Sequence, residues 1–254
     1  MTHLKQIPLV ITLWVSLSGS VQAQDQSVPT VPPHTNTPID SIIFNAPPPP
    51  PTGRPGRRSD AGSRSCGEDE FASPSEPQAL MALVPLQETG SSKVVFGRTM
   101  AAYPTFWFYV PYRSTFTATF VLQDQDGNSI YESEVALPET AGILSLTLPT
   151  TVAPLETGKP YHWFFKLYCR STPPPESFVD GWIQRESPTS DLAQQLQTAT
   201  LPEQVRLYAT NGFWFEALSA AADLRRTNPE DSAWAELLGA IGLESVAAEV
   251  IVMP

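Results

Sequence analysis

Between Ala79 and Glu186 apolar residues recur at every second position, and this period of two limits the fold more than any other feature. In the run Phe116 to Leu122 one face carries Phe116, Ala118, Phe120 and Leu122. The run Ile130 to Leu137 places Tyr131, Val135 and Leu137 inward and Glu132 and Glu134 outward. Between them Asp124-Gln125-Asp126-Gly127-Asn128 has the composition of a hairpin turn. Alternation resumes at Gly142–Leu148, at Tyr161–Cys169 and at Phe178–Arg185. Many short strands with no intervening helix predict a mainly β fold, an antiparallel β-sandwich of immunoglobulin-like or jelly-roll-like type with roughly seven to nine strands. Cys169 is in phase with Trp163, Phe165 and Leu167, which predicts that it faces the core.

From Ser190 the apolar period becomes helical, so an α-helical C-terminal extension is expected over 190–254. Thr200-Leu201-Pro202-Glu203 is a capping box with proline in the first turn. Asn211-Gly212 should end that helix. A second helix should run from near Phe213 to about Arg226, stopped by Asn228-Pro229, and a third should start near Asp231 or Ser232.

The other end of the chain predicts an address. Lys5, the apolar run Ile7 to Leu17 and the small residues around Val21-Gln22-Ala23 have the three parts of a secretory signal, with cleavage expected after Ala23. The run is too short to cross a bilayer, which needs roughly 20 residues. Periplasmic or extracellular localisation follows as an expectation, with no transmembrane segment after cleavage. Residues 24–65 hold ten prolines, including Pro47 to Pro51, and read as a disordered linker ahead of a sandwich domain over 66–189. Its one apolar island, Asp40 to Phe44, either docks on the domain or stays loose. The four arginines of Arg54 to Arg64 read as solvated linker.

Charge and chemistry narrow the function classes. A net charge of −11 without a basic cluster on the folded part disfavours nucleic-acid partners. The only cysteines are Cys66 and Cys169, and in an oxidising compartment an even count invites a disulfide. With only His162 beside them in the folded region they make a poor metal site, so no metal is expected. His34 falls in the linker, and His162 on a strand reads as structural. No nucleophile elbow or glycine-rich phosphate loop is present, so neither a catalytic set nor a cofactor is expected. Asp124, Asp126 and Asn128 have partial calcium-loop spacing but fit a hairpin better. Glu132 and Glu134 share a strand face, which is a solvated face unless another strand supplies a partner carboxylate for glycoside hydrolysis. Phe106-Trp107-Phe108-Tyr109 carries aromatics on both strand faces. Trp107 and Tyr109 therefore either pack under the helical tail or form a ligand platform.

Two resemblances add to this. The strings PTFWFYVPY (104–112), FVLQDQDGNSIYESEVALP, LPTTVAPLETGKPYHWFFKLYC and FVDGWIQR resemble the cyanobacterial domain of unknown function 928. That family's cysteine after a basic, proline-rich leader, and its second at the end of a YxWxFxxxC strand, match Cys66 and Cys169. The resemblance covers residues 66 to about 250 and implies a fold without implying an activity. The tail also resembles a degenerate tetratricopeptide repeat: Gly212, Trp214, Ala217, Ala221 and Pro229 stand where that repeat places its packing residues. Together these readings predict a non-catalytic protein-interaction module of the cell envelope, with envelope or surface proteins as partners. A carbohydrate-binding module stacking a glycan on Trp107, Tyr109, Trp163 or Trp182 is the alternative, and a glycosidase-type enzyme the third.

Overall fold

A computed structural model describes residues 41–51, 55–60, 79–89, 92–111, 117–168, 174–175 and 177–252. Among them the alternating pattern resolves into two facing sheets. One sheet runs β1 (Ser59–Asp60), β2 (Leu80–Ala82), β5 (Thr105–Val110), β8 (Gly142–Thr147) and β11 (Ile251–Val252). The other runs β3 (Leu86–Thr89), β4 (Ser92–Thr99), β10 (Ser177–Arg185), β9 (Pro160–Tyr168), β6 (Thr117–Gln123) and β7 (Ser129–Val135).

The predicted hairpin joins β6 to β7. Asp124 N donates to Asn128 O at 3.0 Å, and the Asp124 carboxylate accepts from Asp126 N, Asn128 N and Asn128 Nδ2, each at 2.9 Å. That carboxylate is occupied as a turn cap, which accounts for the Asp124-Asp126-Asn128 spacing without a calcium ion.

Two details differ from the expected antiparallel sandwich. There are eleven strands among the described residues, not seven to nine. Two pairings are also parallel, β4 with β10 and β8 with β11. Strands that pair in parallel need a long crossover, and local alternation carries no sign of such a pairing.

The core lies between the sheets. Phe106 and Phe108 of β5 meet Phe120 of β6 and Trp163 and Phe165 of β9. Phe108 stacks on Phe165 with ring centroids 4.3 Å apart, and Phe106 sits 4.8 Å from Phe120. Full burial of each such ring contributes on the order of 1.5–3 kcal/mol. Trp163 is so close to β10 that a Cβ built on Gly181 would lie 2.5 Å from its Cζ2 and 2.8 Å from Val95 O. Gly181→Ala is therefore expected to cost about 1–3 kcal/mol by overpacking, read as a lower midpoint in urea. An unchanged midpoint would show that the indole can retreat.

The helices begin and end where their sequence signals stand. They are α1 (Ser190–Thr198), α2 (Leu201–Thr210), α3 (Trp214–Thr227) and α4 (Ala233–Ala240). Thr200 and Glu203 form the capping box at the start of α2, and Gly212, at φ 76°, lets the chain turn into α3. The tail does not stand apart as a separate domain. Residues 41–254 form one compact unit, α3 packs on β4 and β5, and β11 returns from the tail to extend a sheet. Arg225 of α3 secures that return by donating to Ala247 O at 2.8 Å and Glu249 O at 3.2 Å.

The described part of the proline-rich stretch is ordered against this body, a correction to the expected linker. Ile42 is buried, and its N–H donates to Glu236 Oε2 at 3.0 Å. Phe44 meets Trp214 edge-on at 4.9 Å, and Asn45 N donates to Ala209 O. Further on, Gly56 N donates to Lys93 O, and Arg57 exchanges backbone hydrogen bonds with Asp180 where β4 and β10 diverge. The Arg57 guanidinium lies 4.2 Å from the centre of the Phe178 ring, and Arg58 Nη1 donates to Ile241 O at 2.6 Å. Composition alone signals disorder here, but a few apolar and arginine anchors outweigh the entropy of ordering the chain.

Candidate functional site

The outer face of the six-stranded sheet is aromatic at its centre. Val94 and Phe96 of β4 cluster with Trp182 of β10. His162 of β9 stacks on the Trp182 indole, with centroids 4.4 Å apart and planes 8° from parallel. Its Nε2 lies 2.8 Å from Asp180 Oδ2, while Asp180 Oδ1 accepts from Arg57 N at 3.0 Å. His162 and Asp180 are both buried. The histidine thus orients the tryptophan, and the aspartate ties both to the incoming N-terminal segment.

Above this layer lies a cleft of about 640 Å³, lined by Trp182, Gln184 and Glu186 of β10, by Gln125, Gly158 and Pro160, and by Pro48, Pro50 and Pro51. The proline run forms one of its walls. Its anchors are Asn45 at the end of α2 and Gly56 at the start of β4. Glu186 is bound to Arg98 at 2.7 Å and accepts from Gln184 Nε2 at 3.3 Å. Arg98 also donates to Asn211 O at 3.2 Å, which links the cleft to the helical tail. Gln125 and Pro160 also line a second cleft of about 390 Å³ with Asp124, Asp126, Glu156, Lys159 and Tyr161, so the two adjoin. In the second cleft the Asn128 side chain holds the Asp124 carboxyl below the ordinary range, and Glu156 raises the Lys159 ammonium.

The four aromatics offered as an alternative ligand face do not share one, and Trp107 and Tyr109 take the packing alternative. Trp107 is 7% exposed, donates its indole N–H to Ser219 Oγ at 3.1 Å and meets Trp234 at 5.7 Å, so it packs under α3 and α4. Tyr109 is fully buried, and Trp163 fills the inter-sheet core. Trp182 borders the cleft, and at 4% exposure it offers little ring surface. The cause is that β5 has a covered outer face, so all its aromatics are consumed in packing. Of the tail residues, Trp214, Ala217 and Ala221 are buried, and Trp214 Nε1 donates to Leu83 O at 2.7 Å. Pro229 is exposed at the turn between α3 and α4. Glu132 and Glu134 lie exposed on the edge strand β7. Cys66, Cys169 and residues 1–40, with His34 and the expected signal, lie outside the described residues.

A family model described as Domain of Unknown Function (DUF928) matches residues 59–251. The chain belongs to the DUF928 family. A search of curated proteins found no match. The DUF928 match spans both sheets and the helical tail, from β1 to the first residue of β11, in keeping with the single compact unit they form. It therefore also covers a buried carboxylate of this DUF928 domain that pattern reading missed. Glu216 of α3 accepts from Thr99 Oγ1 at 2.6 Å, Met100 N at 2.9 Å and Ala101 N at 3.0 Å, all at its Oε1. Its Oε2 is buried without a hydrogen-bond partner, and burial pushes the carboxyl up from the ordinary range. A lone acid in the alanine-rich stretch Trp214 to Ala222 was the available signal.

Proposed function

We propose that this chain is an exported, non-catalytic protein-interaction module of the cell envelope. The observation that carries the reading is the proline run over the Trp182 face. Pro48, Pro50 and Pro51 line the same cleft as Trp182, with backbone hydrogen bonds at Asn45 and Gly56 on either side of the run, an arrangement that suits the apolar grooves by which domains hold proline-rich peptides. A photo-crosslinker at Gln125, with a control at Glu230 far along the tail, tests it in the envelope fraction. A discrete adduct with one protein from Gln125 alone supports the reading. Equal adducts from both positions, or recovery of the chain only in the cytoplasmic fraction, refute it.

A carbohydrate ligand is the second reading, favoured by the planar hydrogen-bonding groups of Gln125, Gln184 and Glu186 beside Trp182. A glycan array separates the two.

Export also bears on the cysteines. Asp60 O accepts from Ser177 Oγ at 3.3 Å, and Ser177 pairs with Leu167. Asp60 precedes Cys66 by six residues and Leu167 precedes Cys169 by two. Six residues reach at most about 20 Å, so the spacing accommodates a Cys66–Cys169 bridge. The expected outcome is one cross-linked peptide in a non-reduced digest and a loss of about 2–4 kcal/mol on reduction. Alkylation of both thiols in the folded, unreduced protein would count against the bridge.

A further inference from the structure

We propose that the two adjoining clefts act as one groove that binds an extended, basic, proline-containing peptide. This rests on the interaction reading above and specifies its partner.

The lining suits such a segment. Polyproline II chains have three residues per turn and no internal hydrogen bonds, and each proline lacks an N–H. Their ring faces need apolar walls and their carbonyls need donors. Pro48, Pro50, Pro51 and Pro160 supply the walls, and the largely buried Trp182 lines the cleft beside them. The side-chain amides of Gln125 and Gln184 supply donors, and among the described residues the Gln184 amide makes one long 3.3 Å bond, to Glu186. The chain's own Pro48, Pro50 and Pro51 already line the cleft with Trp182, so proline rings fit at this site.

Charge selects the basic member of the class. Asp124, Asp126, Glu156 and Glu186 line the groove, against Lys159 within it and Arg98 behind Glu186. Lys159 is engaged by Glu156 at 2.8 Å, which leaves the hairpin end acidic. A peptide with a cation at every third residue presents those cations on one face of the polyproline helix, toward Asp124 and Asp126, and turns its rings to Pro160 and the proline wall.

Calorimetric titration of the full chain tests this with a capped peptide of repeated Pro-Pro-Arg, the matching Pro-Pro-Glu peptide, and a neutral cello-oligosaccharide. The basic peptide is expected to bind and the acidic one not. Asp126→Lys should weaken binding about three- to tenfold, as should raised salt, because these contacts are exposed. Gln184→Lys should weaken it similarly, and each variant's unfolding midpoint shows that the fold persists. Absence of binding, equal binding of both peptides, indifference to both substitutions, or binding of the oligosaccharide alone overturns the proposal. An adduct from Gln125 with no peptide binding would retain the interaction reading and reject this partner. Failure of both experiments would reject the reading itself.

Discussion

Replacing Trp107 with alanine is expected to destabilise the protein by about 3–5 kcal/mol, the usual cost of truncating a buried indole. Trp107 belongs to a sheet whose outer face is roofed by α3 and α4, and its ring is the contact between sheet and roof. Truncation opens a cavity beside Trp234 and leaves the Ser219 hydroxyl without its donor. Arg225 lies 5.7 Å over the Trp234 ring and also holds the segment before β11, so the loss should spread to the C-terminal strand. Urea unfolding followed by fluorescence and by far-ultraviolet dichroism gives the size of the loss. Wild-type stability in the alanine variant would show that sheet and helices do not depend on this contact, and would reopen Trp107 as a ligand platform.

Glu216→Ala is the second large effect, about 2–4 kcal/mol. The carboxylate serves the Thr99 hydroxyl and the Met100 and Ala101 amides, and a buried donor left unmet costs about 1–3 kcal/mol. Ala101 N retains Thr99 Oγ1 at 3.0 Å, so the loss falls mainly on the other two donors. Glu216→Gln behaves differently, because its amide oxygen can still accept from all three. The pH dependence separates the variants. Burial raises the folded-state carboxyl above its unfolded value, so its contribution is fully present below the ordinary glutamate range and is lost as pH rises through the folded value. Glutamine carries no such proton. The stability of Glu216→Gln relative to wild type should therefore rise with pH from about 4.5 upward. A difference that stays flat with pH would show that the carboxyl titrates alike in both states.

The sequence was most informative where a few adjacent residues determine geometry. The turn at Asp124–Asn128, the capping box at Thr200 and the stops at Asn211-Gly212 and Asn228-Pro229 all stand where local chemistry placed them. The apolar faces of β6 and β9 were legible for the same reason, since Ala118, Phe120, Leu122, Trp163, Phe165 and Leu167 all point inward. Contacts between distant segments were not legible. Nothing local in Trp182 or Phe96 marks β10 and β4 as parallel neighbours. The candidate site was less legible still, because its walls come from a proline run, a hairpin, the turn at Gly158, the start of β9 and the strand β10. Proline-rich composition reads as disorder because the average residue there has nothing to bury. Its order comes instead from Ile42, Phe44 and Arg57, each anchored by a residue more than 100 positions away.

That wiring has a kinetic consequence. Ile42 is held by Glu236, Asn45 by Ala209 and Arg58 by Ile241, so the described beginning of the chain is seated by its end. Each such closure must offset the entropy of a loop that spans most of the molecule before it yields a contact. High contact order of this kind slows folding, and it delays the last step until the helical tail has formed and docked. The segment that walls the candidate groove is therefore among the last to be seated, so the groove takes its shape only after the sandwich and the helical tail are in place.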